Sequence, residues 1–178
     1  LMEGYPIGFQ KEDAALATRL REIARNPIPQ HRVCIPDVFS GISSYNKESR
    51  KFWKDFLFRG NGLTLFNKYF QSGPYLNTQI SRFYEHLKDK TETPQYISLW
   101  RQIFHNRHLI LVEGTGSKLG FHNDLFEGAA SIRRIVCPAE NAFNYYHAIL
   151  ETTLDKAKGM DLLVLIALGP TATVLDRK

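Results

Sequence analysis

Apolar residues fall along this chain in two patterns. In the first they recur every three or four positions among charged ones, the spacing of a helix with one buried face. Leu16, Leu20 and Ile23 do so within Lys11 to Arg25, and Phe52, Trp53 and Phe56 form such a stripe within Lys47 to Phe58. Ile97, Trp100, Ile103 and Phe104 predict an inward face for a helix from Thr93 to Asn106. Further helices are expected near Thr64 to Phe70, at Leu119 to Ala130 and at Asn144 to Ala157. The second pattern is the short unbroken apolar run: Leu109 to Val112, Ile132 to Cys137 and Leu162 to Ala167, with a briefer strand at Arg32 to Ile35. Tyr75 to Ser81 reads as strand or extended loop. Asn26-Pro27-Ile28-Pro29, Pro36-Asp37, Gly60-Asn61-Gly62, Gly73-Pro74 and Pro138 punctuate these elements, because proline and glycine end regular structure.

In the second half the order is strand, helix, strand, helix, strand, which predicts an α/β fold: a Rossmann-like, layered, mostly parallel sheet with helices on both faces. Leu162 to Ala167, with no polar alternation, is expected to be a central strand covered on both sides. Thr171 to Leu175 reads as the start of another helix. No internal repeat or low-complexity segment interrupts the 178 residues, a length that suits a single domain over 1–178 with a real core.

Right-handed crossovers bring the C-terminal ends of parallel strands to one edge of the sheet, where open α/β sheets bind their ligands. Three loops are expected there: 113–123, 137–143 and 168–173. In the first, the run Leu109-Ile110-Leu111-Val112 turns through Glu113-Gly114-Thr115-Gly116-Ser117 to Lys118 and Gly120. Glycines let backbone N–H groups approach an anion and the lysine adds charge. Neither nucleotide-loop motif is met: Lys118 follows Ser117 rather than glycine, and Gly114, Gly116 and Gly120 are spaced one residue too far for G-x-G-x-x-G. On spacing alone, a strand-to-helix turn with a solvated lysine explains the loop as well as an anion site does. Convergence with the other loops is what favours the site. Gly169 offers close approach, and Thr171 or Thr173 offers a hydroxyl and a helix-start N–H; an N-cap role for threonine and a turn role for Asn141 are the competing structural explanations.

Composition narrows the partners. The net charge of +5 permits anionic ligands, but the basic residues are spread along the chain and no nucleic-acid module is recognisable. Arg50, Lys51, Lys54, Arg59 and Lys68 surround aromatic positions and read as a solvated helix face. No apolar run approaches the ~20 residues of a membrane span, and no signal peptide is recognisable. Cys34 and Cys137 lack metal or CxxC spacing and are expected to be buried free thiols of a cytoplasmic protein. No catalytic constellation stands out: His122, Asn123 and Asp124 lie together without a metal motif. His105 and His108 flank a helix-to-strand joint, where exposure is the simpler expectation. Asp37 is a candidate metal or ribose contact for which an Asx-turn is the simpler role. Glu113 ends a strand facing the predicted site, where it could accept from a sugar hydroxyl or a base, or bond to its own loop.

Many ordered runs then carry a resemblance. Ile7-Gly8-Phe9-Gln10-Lys11, Ile35-Pro36-Asp37-Val38-Phe39, Ile80-Ser81-Arg82-Phe83-Tyr84, Val112-Glu113-Gly114, Gly120-x-x-Asn123-Asp124-Leu125-Phe126, Ser131-Ile132-Arg133-Arg134-Ile135, Cys137-Pro138-Ala139-x-Asn141-Ala142-Phe143 and Ala167-Leu168-Gly169-Pro170-Thr171-Ala172-Thr173 are similar to the bacterial GT-D-fold glycosyltransferases. The resemblance implies metal-dependent transfer of a sugar, typically glucose from UDP-glucose, to a glycan acceptor on a serine-rich-repeat surface glycoprotein before its export. It implies a nucleotide-sugar site drawn from Arg82, Glu113, Gly114, Lys118, Asn123, Asp124, Asn141, Gly169, Thr171 and Thr173. The family's metal acids, manganese or magnesium ligands in a segment like S-x-x-R-F-G-D-G-E, would precede Leu1, and its pattern continues past Lys178. The chain is therefore expected to be truncated at both ends, with no metal ligand within it. The rival expectation is a non-catalytic nucleotide-sugar-binding or assembly subunit. Oligomeric state is not legible.

Overall fold

The computed structural model describes residues 1–3, 5–26, 28–70 and 75–177. Its elements in chain order are α1 (Ala14–Arg25), β1 (Cys34–Ile35), α2 (Lys47–Phe58), α3 (Gly62–Tyr69), β2 (Leu76–Asn77), α4 (Phe83–His86), α5 (Thr93–Phe104), β3 (His108–Gly114), β4 (Ser131–Cys137), α6 (Tyr146–Ala157), β5 (Leu162–Ala167) and α7 (Pro170–Leu175). They form two compact units, one of 1–20 with 97–178 and one of 21–96.

The first unit is built on a parallel sheet ordered β4-β3-β5. Leu109 pairs with Ile132 on one side and Leu163 on the other, and the register holds through Glu113, opposite Val136 and Ala167. Residues 109–112 are 0–1 % exposed. Leu109 and Leu111 face Phe104 and Phe126, with Trp100, Leu119, Leu125, Leu163 and Leu165 around them. Ile110 and Val112, on the opposite face of the strand, are equally buried. A strand flanked by parallel neighbours and covered on both faces has no place for alternation, and none is present.

The expectation that Leu162 to Ala167 is central is corrected: β3 holds the centre, and β5 lies at one edge with Leu162 to Ile166 half-buried. An unbroken apolar run reports that both faces are covered, not on how many sides the strand is paired. The helix expected over Leu119 to Ala130 is also absent, and a chain of turns replaces it. Gly120 has φ +72° and His122 φ +55°, both left-handed. Asn123 accepts from the Leu125 N–H at 3.1 Å as an Asx-turn, and Phe121, Glu127 and Ala129 donate three residues back rather than four. Leu119, Leu125 and Phe126 still pack on the core, so helical spacing there records burial without a helix.

The second unit has a two-stranded parallel sheet of β1 and β2. Val38, Tyr45 and Leu57 form its core, with Phe39, Ile42, Trp53 and Phe56 against them. Asn46 caps α2 by accepting from the Ser49 N–H at 2.9 Å. Asp37 is occupied structurally: Tyr45 Oη donates to it, as does Asn77 Nδ2 at 3.2 Å. Burial, then the Asp37 carboxylate, pushes the Tyr45 phenol well above its usual range. The segment expected as strand or extended loop over Tyr75 to Ser81 becomes β2 followed by a 3₁₀ turn at Thr78–Ser81. The turn at Gly73-Pro74 and residue Pro27 lie outside the described residues.

Three predicted buried positions are exposed: Phe52 at 62 %, Ile103 at 49 %, and Cys34. In each helix a neighbour takes the inward place, Leu57 in α2 and Phe104 in α5. Cys34 sits on a strand of two residues with one neighbour, too short to be roofed. Cys137 is buried, and desolvation raises its thiol above the ordinary value. Iodoacetamide at neutral pH is therefore expected to label Cys34 in the native protein and Cys137 only after denaturation, read by peptide mass. Leu111→Ala should destabilise the protein by about 3 kcal/mol in urea titration, since the cavity opens under a strand with no freedom to collapse.

Candidate functional site

Parallel register delivers the ends of β3, β4 and β5 to one edge of the sheet, each followed by one of the predicted loops. Glu113, the penultimate residue of β3, is 3 % exposed. An ionised carboxylate there needs compensation, and Arg134 of β4 supplies it: Nη1 donates to Glu113 Oε1. Its Nη2 donates to the Leu119 carbonyl at 2.8 Å, and its guanidinium lies 4.3 Å from the centroid of the Phe121 ring. Glu113 Oε2 has no partner among the described residues.

Gly114 ends the strand where a side chain would not fit, because an added Cβ would lie 3.1 Å from Ala139 Cα. The Thr115 N–H and hydroxyl both donate to the Cys137 carbonyl, at 2.7 and 2.9 Å, and the Ser117 N–H donates to Gly114. Beyond that the loop is open. Lys118 is exposed and makes no side-chain hydrogen bond or ion pair among the described residues. The backbone N–H groups of Gly116, Lys118 and Gly120 likewise donate no hydrogen bond among them. Unpaired N–H groups beside a free ammonium are the components of an anion site.

The other predicted residues are more occupied. Asp124 is an exposed carboxylate that accepts from Arg101 Nη1 at 2.8 Å, and Asn123 closes its own turn. Asn141 adopts the left-handed conformation, φ +52°, and fastens the N-terminal segment: its N–H donates to the Phe9 carbonyl and its Oδ1 accepts from the Lys11 N–H at 2.8 Å. Gly169 makes a close approach, but to the Phe9 ring, which an added Cβ would meet at 2.4 Å. Thr171 is fully buried at the start of α7 and its hydroxyl has no partner among the described residues, whereas Thr173 is exposed. Arg82 belongs to the other unit, where its guanidinium pairs with Glu85 at 2.7 Å and holds that carboxylate below its ordinary range.

Sequence reasoning missed Arg134. The signal was present in Arg133-Arg134 within an apolar strand, since adjacent strand residues face opposite sides and one arginine must point toward a covered face. Its partner could not be read without the register that sets Arg134 opposite Leu111, one pleat from Glu113.

The whole chain, residues 1–178, matches the family described as Glycosyltransferase GT-D fold. The chain belongs to the GT-D-fold glycosyltransferase family. It is 38 % identical over 176 residues to a probable glycosyl transferase Gly of Streptococcus gordonii, covering 98 % of this chain and 25 % of that protein. It is 34 % identical over 177 residues to the glycosyltransferase GlyD of Streptococcus pneumoniae serotype 4 (strain ATCC BAA-334 / TIGR4), covering 99 % of this chain and 21 % of that protein. A solved structure described as the highly conserved domain of unknown function 1792, with a distinct glycosyltransferase fold, superposes with TM-score 0.87 at 38 % identity over 99 % of this chain and 62 % of its own. A glycosyltransferase of the same domain type from Streptococcus sanguinis gives 0.88 at 36 % identity, over 98 % and 64 %. The GT-D chain thus spans about a quarter of these curated relatives and under two thirds of these solved chains.

Among the described residues no group of three His, Cys, Asp or Glu side chains could hold a metal ion, so the residues present do not fit the divalent metal that the resemblance implies. No helix among them is long and apolar enough to cross a membrane.

The loop geometry carries its own expectation. Gly120→Ala would force a left-handed φ on a side chain whose Cβ meets the Phe126 ring at 2.3 Å. It should lower stability by about 2 kcal/mol in chemical denaturation.

Proposed function

We propose that this chain holds the UDP-sugar donor, glucose being the favoured sugar, in a hexosyltransferase that builds a glycan on a surface glycoprotein in the cytoplasm. The observation that carries the reading is a pair of buried polar atoms without partners among the described residues, Glu113 Oε2 near the end of β3 and Thr171 Oγ1 after β5. A buried acceptor left unpaired costs about 1–3 kcal/mol, and a polar ligand at the sheet edge would recover that cost. Family membership supplies the class of ligand.

In this reading the free N–H groups of Gly116, Lys118 and Gly120 and the Lys118 ammonium take the diphosphate. Glu113 Oε2 accepts from a sugar hydroxyl or base N–H, and Thr171 bonds a further polar group. An acceptor hydroxyl attacks the anomeric carbon as the bond to the diphosphate breaks, its proton passing to solvent, and the loop donors stabilise the negative charge on the departing UDP. The metal of the family reaction has no set of ligands among the described residues, so the part assigned to this chain is binding and orientation. A binding subunit without transfer is the other reading, and turnover separates them.

UDP titrated calorimetrically into the chain should bind, and Lys118→Ala should weaken it by about tenfold, the loss of one charge-assisted contact. Thr171→Val should leave stability unchanged or raised, because it removes a buried unpaired hydroxyl, yet weaken UDP binding. Unchanged affinity in both variants sinks the site. Transfer or hydrolysis of UDP-glucose with manganese is to be assayed on the full-length protein. Binding without any turnover of nucleotide sugars there would favour the binding-subunit reading.

A further inference from the structure

The candidate loop is rich in positions that lose much freedom on ordering. Gly116 and Gly120 have φ +86° and +72°, and His122 is also left-handed. Left unfastened, a loop of this kind would have to be ordered on binding, at a cost in affinity. Thr115 and Ser117 tie its start to the ends of β4 and β3. Beyond Ser117, besides the packing of Leu119 on the core, the polar tie to the sheet among the described residues is Arg134.

That tie reaches three places at once. Arg134 holds Glu113 at the end of β3, the carbonyl of Leu119 next to Lys118, and the face of Phe121 beyond Gly120. We propose that Arg134 is a positioning residue: it clamps 118–121 in one conformation, so that Lys118 and the free N–H groups beside it are aligned before a ligand arrives. For its consequence in binding, the inference rests on the nucleotide-sugar reading above; the clamp itself does not.

The chemistry requires arginine. A planar guanidinium donates in separate directions while its face stacks on a ring. A lysine ammonium at the same place keeps the charge beside Glu113, but it is a compact point charge that cannot stack on Phe121 in the same way while serving both oxygens. Arg134→Lys therefore separates compensation of the buried carboxylate from fastening of the loop. Arg134 is bonded to Glu113 and to the carbonyl of Lys118's neighbour Leu119, so its proposed effect on binding passes through the residues it holds in place.

The experiment has two arms, run on this chain. Hydrogen exchange without ligand compares Arg134→Lys with the wild type. The amide of Phe121 should exchange faster while those of Thr115 and of 109–112 in β3 keep their protection. Equal protection of the loop in both proteins overturns the clamp whether or not UDP binds. In the second arm UDP affinity is measured for Arg134→Lys, Lys118→Ala and the double variant. Arg134→Lys should weaken binding by about tenfold, as one charge-assisted hydrogen bond goes unmade. Lys118→Ala should then cost clearly less in the Arg134→Lys background than alone. Strict additivity overturns action through the loop. If Arg134→Lys fails to fold, Phe121→Leu removes the stacked face with the ion pair left in place, and the same two readouts apply. A wild type that does not bind UDP counts against the nucleotide reading, and the exchange arm then decides the clamp by itself.

Discussion

The constraint on which the first unit depends is the burial of β3 on both faces and between two parallel neighbours. Residues 109–112 are closed off from water, so anything β3 carries to its C-terminal end arrives in a low-dielectric setting. Glu113 is the residue that arrives there. Its charge is tolerable because β4 runs in the register that sets Arg134 one pleat away on the same face. A slip of one residue would turn Arg134 to the other side of the sheet. The ion pair and the register therefore specify one another, and the loop that Arg134 reaches inherits its position from both.

The edge of the sheet is not evenly available for binding. The loop after β4 and the one after β5 are both engaged by the N-terminal segment, through Asn141 with Phe9 and Lys11 and through Gly169 with the Phe9 ring. They carry architectural work that their small polar residues alone did not suggest. The loop after β3 keeps a lysine and N–H groups that are uncommitted among the described residues. The candidate site is therefore narrower than the convergence of three loops implied, and it centres on Glu113 to Gly120 with Thr171 at the start of α7.

Membership of the GT-D family fixes the class of protein, and similarity at TM-scores of 0.87 and 0.88 extends across almost the whole chain. The same chain is about a quarter of the length of its curated relatives. The part proposed for this chain is therefore the holding of an anionic donor, a task of alignment and charge. Catalysis belongs to the proposal about the longer protein.

The sequence by itself determined the α/β class, the strand sites at Leu109, Ile132 and Leu162, and most helix positions, because burial on one face or two leaves its period in the chain. It also marked Lys118 and its glycines. It could not rank the strands, since an apolar run looks the same at the centre and at the edge. It could not see that Gly120, His122 and Asn123 would break a helix whose apolar spacing was sound, because left-handed backbone is set by what the turn must reach. Nor could it join Glu113 to Arg134, which are 21 residues apart in the chain. Period is a local property of residues; partnership across strands exists only once the sheet has a register, and that was decided by the tertiary structure.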